Sequence, residues 1–249
     1  MYREFRLFLC ALQFLTRLPG PALPDFTPDW ITRSAKYFPL VGLIVGAIAA
    51  GTLMLAAQVW SGVVPTLLAI TIGILATGAF HEDGLADTAD GLGGGQDPAQ
   101  RLAIMKDSRI GTYGMVALVL CLALKVAALS SFDAPKAALV LIAVQGVARA
   151  AAVVVMTALP YAGDPASAKS KPTPAGVTPG ECLLAVAFAA WPLALLPLGQ
   201  VVGGIAMGCI CAALIVLAAR RLIGGYTGDV LGAVEQMFEL GFVLGVAAL

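Results

Sequence analysis

The sequence predicts an all-α fold: a polytopic integral membrane helical bundle of about seven transmembrane helices, with an N-terminal interfacial amphipathic helix. Three observations predict it. Of 249 residues, 59% are hydrophobic and 12% are charged, about half the charged share of an ordinary soluble domain. Mean hydropathy is +0.91. Apolar runs close to the ~20 residues that a spanning helix needs recur along the chain. No long internal repeat or soluble domain separates from them, so residues 1–249 read as a single membrane-embedded domain.

Residues 1–33 come first. Arg3, Glu4, Arg6 and Arg17 alternate with Phe5, Phe8, Leu12 and Phe14, the pattern of a helix lying in the interface. They do not make a convincing signal peptide, because Gln13, Thr16 and Arg17 break the apolar stretch and no small-residue cleavage site follows. Seven apolar segments come next: 38–59, 64–80, 114–131, 137–159, 182–198, 201–219 and 230–249. Only Gly199 and Gln200 separate the fifth from the sixth.

The basic residues fall on alternate connections. Arg3, Arg6, Arg17, Arg33 and Lys36 precede the first span; Arg101, Lys106 and Arg109 follow the second. Lys169 and Lys171 follow the fourth, and Arg220 and Arg221 the sixth. The opposite connections hold only Lys136, while Lys125 and Arg149 lie inside spans. Positive charge stays on the cytoplasmic side. The N-terminus and the connections 81–112 and 160–180 are therefore expected in the cytoplasm. The second of these is rich in Pro, Gly and Ser and reads as a connector.

Net charge is zero, so bulk charge points to no nucleic-acid partner, and none is expected. The five cysteines form no CxxC pair, and one histidine does not complete a zinc site. The cysteines read as small apolar filler.

The chemistry concentrates after the second apolar segment, in FHEDGLADTADGLGGG. No proline interrupts residues 66–90, so one helix is expected to run through the acids and stop at the glycines. At about 100° per residue, Asp83, Asp87 and Asp90 share a narrow face, with Glu82 at its edge. Like charges four residues apart repel, and the negative end of a helix adds to the penalty. A bound divalent cation reverses both effects. Carboxylates without thiols or an imidazole set suit Mg2+, with Mn2+ as the alternative. His81 projects from the opposite side of the helix and reads as an interfacial residue, not a ligand. On the same membrane side stand Lys106, Asp107 and Arg109, then Asp229 at the start of the seventh segment. Basic groups beside such a cluster suit a phosphate-bearing substrate. Glu235 and Glu239, four residues apart inside that segment, are functional candidates because intramembrane acids usually are.

These blocks resemble the adenosylcobinamide-GDP ribazoletransferase, or cobalamin synthase, family. The resemblance rests on FHEDGLADTADGLGGG, MKDSRIGTYG and GGYTGDVLGA, with ALQFLTRLP and YFPLVGLIVG upstream. It implies a catalytic domain spanning the chain, in the bacterial inner membrane, with a cytoplasmic active site and Mg2+ as cofactor. It implies adenosylcobinamide-GDP and α-ribazole, or α-ribazole 5′-phosphate, as substrates, with GMP released. Asp83, Asp87 and Asp90 are then expected to bind metal, with Glu82 as ligand or base. Lys106 and Arg109 would receive the leaving phosphate, with Asp107 and Asp229 supporting the site. Trp30, Tyr37, Phe38, Tyr113 and Tyr226 are candidates for the corrin ring. The bilayer is the other expected partner, and a homo-oligomer is left open. Two alternatives stand beside this reading. A CDP-alcohol phosphotransferase shares the first five positions of its pattern at Asp87–Gly91, but Gly94 and Gly95 replace its Ala and Arg. A cation transporter would use Glu235 and Glu239, but the other acids gather at one membrane face, away from the midplane.

Overall fold

The structure is a computed structural model describing residues 2–23, 26–27, 29–163 and 176–249. Lys169 and Lys171, and most of the connection 160–180, lie outside the described residues. Within them the secondary structure is helical, apart from one isolated bridge between Tyr161 and Tyr226.

The N-terminal piece is not one helix. α1 (Tyr2–Leu15) buries Leu7, Cys10, Ala11 and Leu15, a stripe at the three-and-four spacing of an amphipathic helix. α1 ends at Leu15, ahead of Pro19, Gly20 and Pro21, and the next described helix is α2 (Asp29–Ser34). A 3-10 turn, Ala35–Tyr37, leads into α3 (Phe38–Ala56). Glu4 ties α1 to that turn: its carboxylate lies 2.6 Å from Lys36 Nζ and accepts the Tyr37 hydroxyl at 2.6 Å. Lys36 and Tyr37 together hold the Glu4 carboxyl below its usual range. α1 thus packs onto the bundle through Ile31, Phe38 and Val41.

α4 (Val64–Thr77) and α5 (Phe80–Gly94) are two helices bent by 87°, not the single helix expected over 66–90. Gly78 (φ 69°) and Ala79 (φ 58°) are both left-handed, the ending that glycine favours at a helix C-terminus. A left-handed alanine costs about 1–2 kcal/mol. Backbone bonds offset it: Ala79 N–H donates to Ile74 O at 2.9 Å, and Arg17 N–H reaches Ala76 O at 2.7 Å. The chain leaving α1 therefore caps α4 and fixes where the acidic helix begins.

Next come α6 (Pro98–Met105), α7 (Thr112–Leu129) and α8 (Ala134–Ala158). α9 (Pro179–Ala190) passes into a 3-10 stretch, Trp191–Leu195, before α10 (Leu198–Ile223) and α11 (Gly228–Ala247). Among the described residues, five helical segments are long and apolar enough to cross a bilayer, or six if the bent pair α4–α5 counts as one span. The expected seven are reduced because Gly78 stops α4 early and Trp191-Pro192 tightens α9 into a short 3-10 end. The bundle is an all-α polytopic membrane architecture.

Close helix contacts rest on glycine, as is common where lipid surrounds a bundle. A Cβ on Gly245 would stand 2.2 Å from Gly203 O, so α10 and α11 touch backbone to backbone. A Cβ on Gly42 would stand 2.1 Å from Gln145 O, which sets α3 against α8. The ends of α8 and α10 meet, because Tyr226 N–H donates to Pro160 O and Ala162 N–H to Tyr226 O.

Candidate active site

α5 is the axis of the site. It runs antiparallel to α7: Glu82 shares a buried cluster with Lys125, Leu85 packs with Cys121, and Asp90 meets Gly111 and Gly114. On its other side α11 crosses at Gly84 and Gly232. A Cβ on Gly84 would lie 2.8 Å from Asp229 O and 3.1 Å from Gly232 Cα. That contact sets the backbone of Asp229, in the first turn of α11, against Gly84.

The break at Gly78–Ala79 precedes all the acids, so the spacing of Asp83, Asp87 and Asp90 is carried by one continuous helix. Their surroundings differ. Asp83 is exposed, Asp87 is half-buried and Asp90 is buried. Asp90 is already engaged: one carboxylate oxygen accepts Gly111 N–H at 2.7 Å and the other accepts Gly114 N–H at 2.9 Å. Those amides belong to the start of α7, where N–H groups lack partners within the helix and the dipole favours an anion. A Cβ on Gly111 or Gly114 would lie 2.4 or 2.3 Å from an Asp90 oxygen. This explains the glycine spacing in SRIGTYG.

Glu82 points away from this face. It is 8% exposed, and its Oε1 accepts Gln236 Nε2 at 3.0 Å. Lys125 Nζ donates to Gln236 Oε1 at 2.6 Å and to Glu239 Oε2 at 2.8 Å. Arg149 Nη1 lies 2.8 Å from Glu235 Oε1 and donates to Gln145 Oε1 at 2.7 Å. The Arg149–Glu235 contact is close but misaligned, an ion pair without a hydrogen bond, so Glu235 Oε1 has no donor. Glu82 Oε2 and Arg149 Nε are likewise without partners. All three residues line a cavity of ≈ 40 Å³, room for a few waters. His81 is in this interior too, 5% exposed, with Nδ1 3.6 Å from Glu235 Oε2. It is not the interfacial residue expected, because the bend after α4 turns the first residues of α5 inward.

The sequence reading left Lys125 and Arg149 without a role. The signal available was charge parity: two basic residues within apolar segments, against Glu235 and Glu239 in another. Buried charges need partners.

Before α7, Asp107 and Arg109 form a bidentate pair, with Arg109 Nη2 2.6 Å from Oδ2 and Nε 3.0 Å from Oδ1. Arg109 is therefore not a bare cation here. Its guanidinium holds the Asp107 carboxyl down at about 2. Lys106, at the end of α6, is exposed. Thr227 caps α11, accepting Val230 N–H at 3.2 Å, and its hydroxyl lies 3.5 Å from Asp229 Oδ2.

No three Asp, Glu, His or Cys side chains converge as a ready metal cage among the described residues. Magnesium does not need one: it keeps several waters and takes one or two carboxylates plus substrate phosphates. The oxygen donors of exposed Asp83 and half-buried Asp87 fit that requirement. Asp90 is committed to α7, and Glu82 faces the interior.

Fold and site together define a polytopic helical membrane protein that presents aspartates from a glycine-packed helix. Residues 7–247 match the CobS family, described as cobalamin-5-phosphate synthase, and the chain belongs to that family. It is 44% identical over 254 residues to an adenosylcobinamide-GDP ribazoletransferase of Leptothrix cholodnii, covering 98% of this chain and 96% of the relative. Relatives of the same description from Shewanella sp. (strain W3-18-1) and Shewanella pealeana are 38% and 41% identical, over 96% of this chain and 92% and 93% of theirs. No solved structure matches.

Proposed function

We propose that this chain transfers the cobinamide phosphate of adenosylcobinamide-GDP to the ribose hydroxyl of α-ribazole or its 5′-phosphate. The hydroxyl oxygen forms a bond to the cobinamide-side phosphorus, the bond from that phosphorus to the GMP oxygen breaks, and GMP leaves. The hydroxyl proton passes to a carboxylate. Its product is adenosylcobalamin or the 5′-phosphate of it, made at the cytoplasmic face of a bacterial inner membrane.

The observation that carries this reading is the near full-length relationship to proteins named for that transfer, 44% identical in one case. The site suits the chemistry. Asp83 and Asp87 stand one turn apart on the accessible face of α5 and would hold Mg2+; Asp229 lies in the first turn of the helix that packs against Gly84 between them. Bound there, Mg2+ would neutralise charge developing on the diphosphate oxygens. Glu82 does not reach that face, so the base is sought between Asp83 and Asp87, whichever is less engaged by metal. Lys106 and Arg109 lie on the connection that Asp90 anchors at Gly111, and Arg109 can exchange Asp107 for a phosphate. The transporter alternative loses support because Glu235 and Glu239 are already matched by Arg149 and Lys125.

The test is direct. Membranes holding the protein are incubated with adenosylcobinamide-GDP and α-ribazole, with Mg2+ and with chelator. GMP and a completed cobalamin should appear together, and only with the metal. Turnover that survives chelation overturns the metal assignment; no cobalamin in either arm overturns the function.

A further inference from the structure

A second cavity, ≈ 590 Å³, lies between α8, α9, α10 and α11, in the size range of small-molecule sites, about 300–1,000 Å³. It extends from Val147 to Leu159 along α8 and from Ile205 to Arg220 along α10, closed by Leu193 and Phe238. At 1.5 Å per residue these stretches measure roughly 18 and 22 Å. Among the described residues that line it, Arg220 alone is charged, and it stands at one end. That end is set by the Tyr161–Tyr226 bridge, which brings the C-terminal ends of α8 and α10 together just before α11, whose first turn carries Asp229.

Shape and charge select the occupant. The lining is apolar along its length with one cationic side chain, Arg220, at one end, the pattern of a hydrocarbon chain below an anionic headgroup. The adjoining face of α10 exposes Val202, Ile210, Leu214 and Leu217, so the slot opens toward lipid. We propose that it holds one acyl chain of an anionic phospholipid, with the phosphate on Arg220. One leaflet of the ~30 Å hydrocarbon core is about 15 Å deep, so a slot of this length spans it and reaches the headgroup level, where a guanidinium pairs well with phosphate.

The experiment is native mass spectrometry of protein purified in mild detergent, alongside Ala151→Leu/Ala213→Leu, which fills the slot, and Arg220→Gln. Wild type should retain a phospholipid enriched in phosphatidylglycerol. Retention should fall about tenfold in the filled variant, the scale of about two lost methylene contacts. Arg220→Gln should keep a lipid but lose about fivefold preference for the anionic headgroup over phosphatidylcholine in nanodiscs. Equal retention in the filled variant overturns the proposal. So does an unbound slot, a cross-link between copies at position 213, or a corrinoid displaced by slot filling. If the double variant fails to elute as a single species, the headgroup preference of Arg220→Gln decides alone. Transferase turnover by these variants separates this outcome from the function proposed above.

Discussion

Asp90 holds the backbone amide of Gly111, 21 positions along the chain, at 2.7 Å, and so joins the acidic helix to the first turn of α7. The carboxylate completes a helix terminus that belongs to another element. Gly111→Ala or Gly114→Ala should drive a methyl group into that carboxylate, where the present spacing leaves 2.4 and 2.3 Å. Overpacking of this kind costs about 1–3 kcal/mol. Thermal unfolding in detergent should show the loss, and activity should fall with it. Alanine at both positions with wild-type stability would mean that Asp90 does not seat there.

Asp83→Asn and Asp87→Asn should insert and fold as wild type, since neither residue is buried. Turnover should fall by on the order of 100-fold, at least the upper range for disturbing a metal site's outer shell. The Mg2+ concentration for half-maximal activity should rise in any residual activity. Normal turnover by purified Asp87→Asn would remove it from the metal site.

Lys125→Met should be costly, because it strands Glu239 in the interior, 2.8 Å from where the ammonium stood. Removing one partner of a buried pair costs about 3–5 kcal/mol. Adding Glu239→Gln should recover much of that loss. A double-mutant cycle on unfolding free energy measures the coupling; simple additivity would rule out the pairing.

Asp107 gives a pH prediction. Its carboxyl is held at about 2 by Arg109, below the usual 3.8. A depressed value means that the pairing contributes above pH 3.8 and is lost as pH falls through 2. Between pH 5 and 9 Asp107 stays ionised, so Asp107→Asn should leave the limbs of the pH–rate profile in place. It frees Arg109, so KM for adenosylcobinamide-GDP should change instead. A shifted acidic limb in this variant would assign Asp107 a proton-transfer role.

Much of the fold was legible because hydropathy reports the bilayer directly. α3, α7, α8, α10 and α11 fall where apolar runs lie. Asp83, Asp87 and Asp90 share one helix because their spacing is local. The failures have another origin. The stop at Gly78 is not legible locally, because the chain that caps α4 there comes from Arg17, remote in sequence, whose N–H bonds Ala76 O. Glu82 and His81 turned inward because that bend reorients them, and their neighbours come from α8 and α11. The Asp107–Arg109 pair was within reach of the sequence, two residues apart, but the same residues also suit free phosphate donors.

The ion cluster has a consequence for biogenesis. Lys125 must enter the membrane before Glu239 exists, because 114 residues separate them in order of synthesis. Arg149 likewise precedes Glu235. A basic residue at the middle of a lone helix disfavours insertion by about 2.5–3.5 kcal/mol. α7 and α8 are therefore provisional guests of the bilayer until α11 follows them from the ribosome. A nascent chain interrupted ahead of α11 leaves Arg149 without Glu235, and leaves Lys125 with Glu82 but without Glu239.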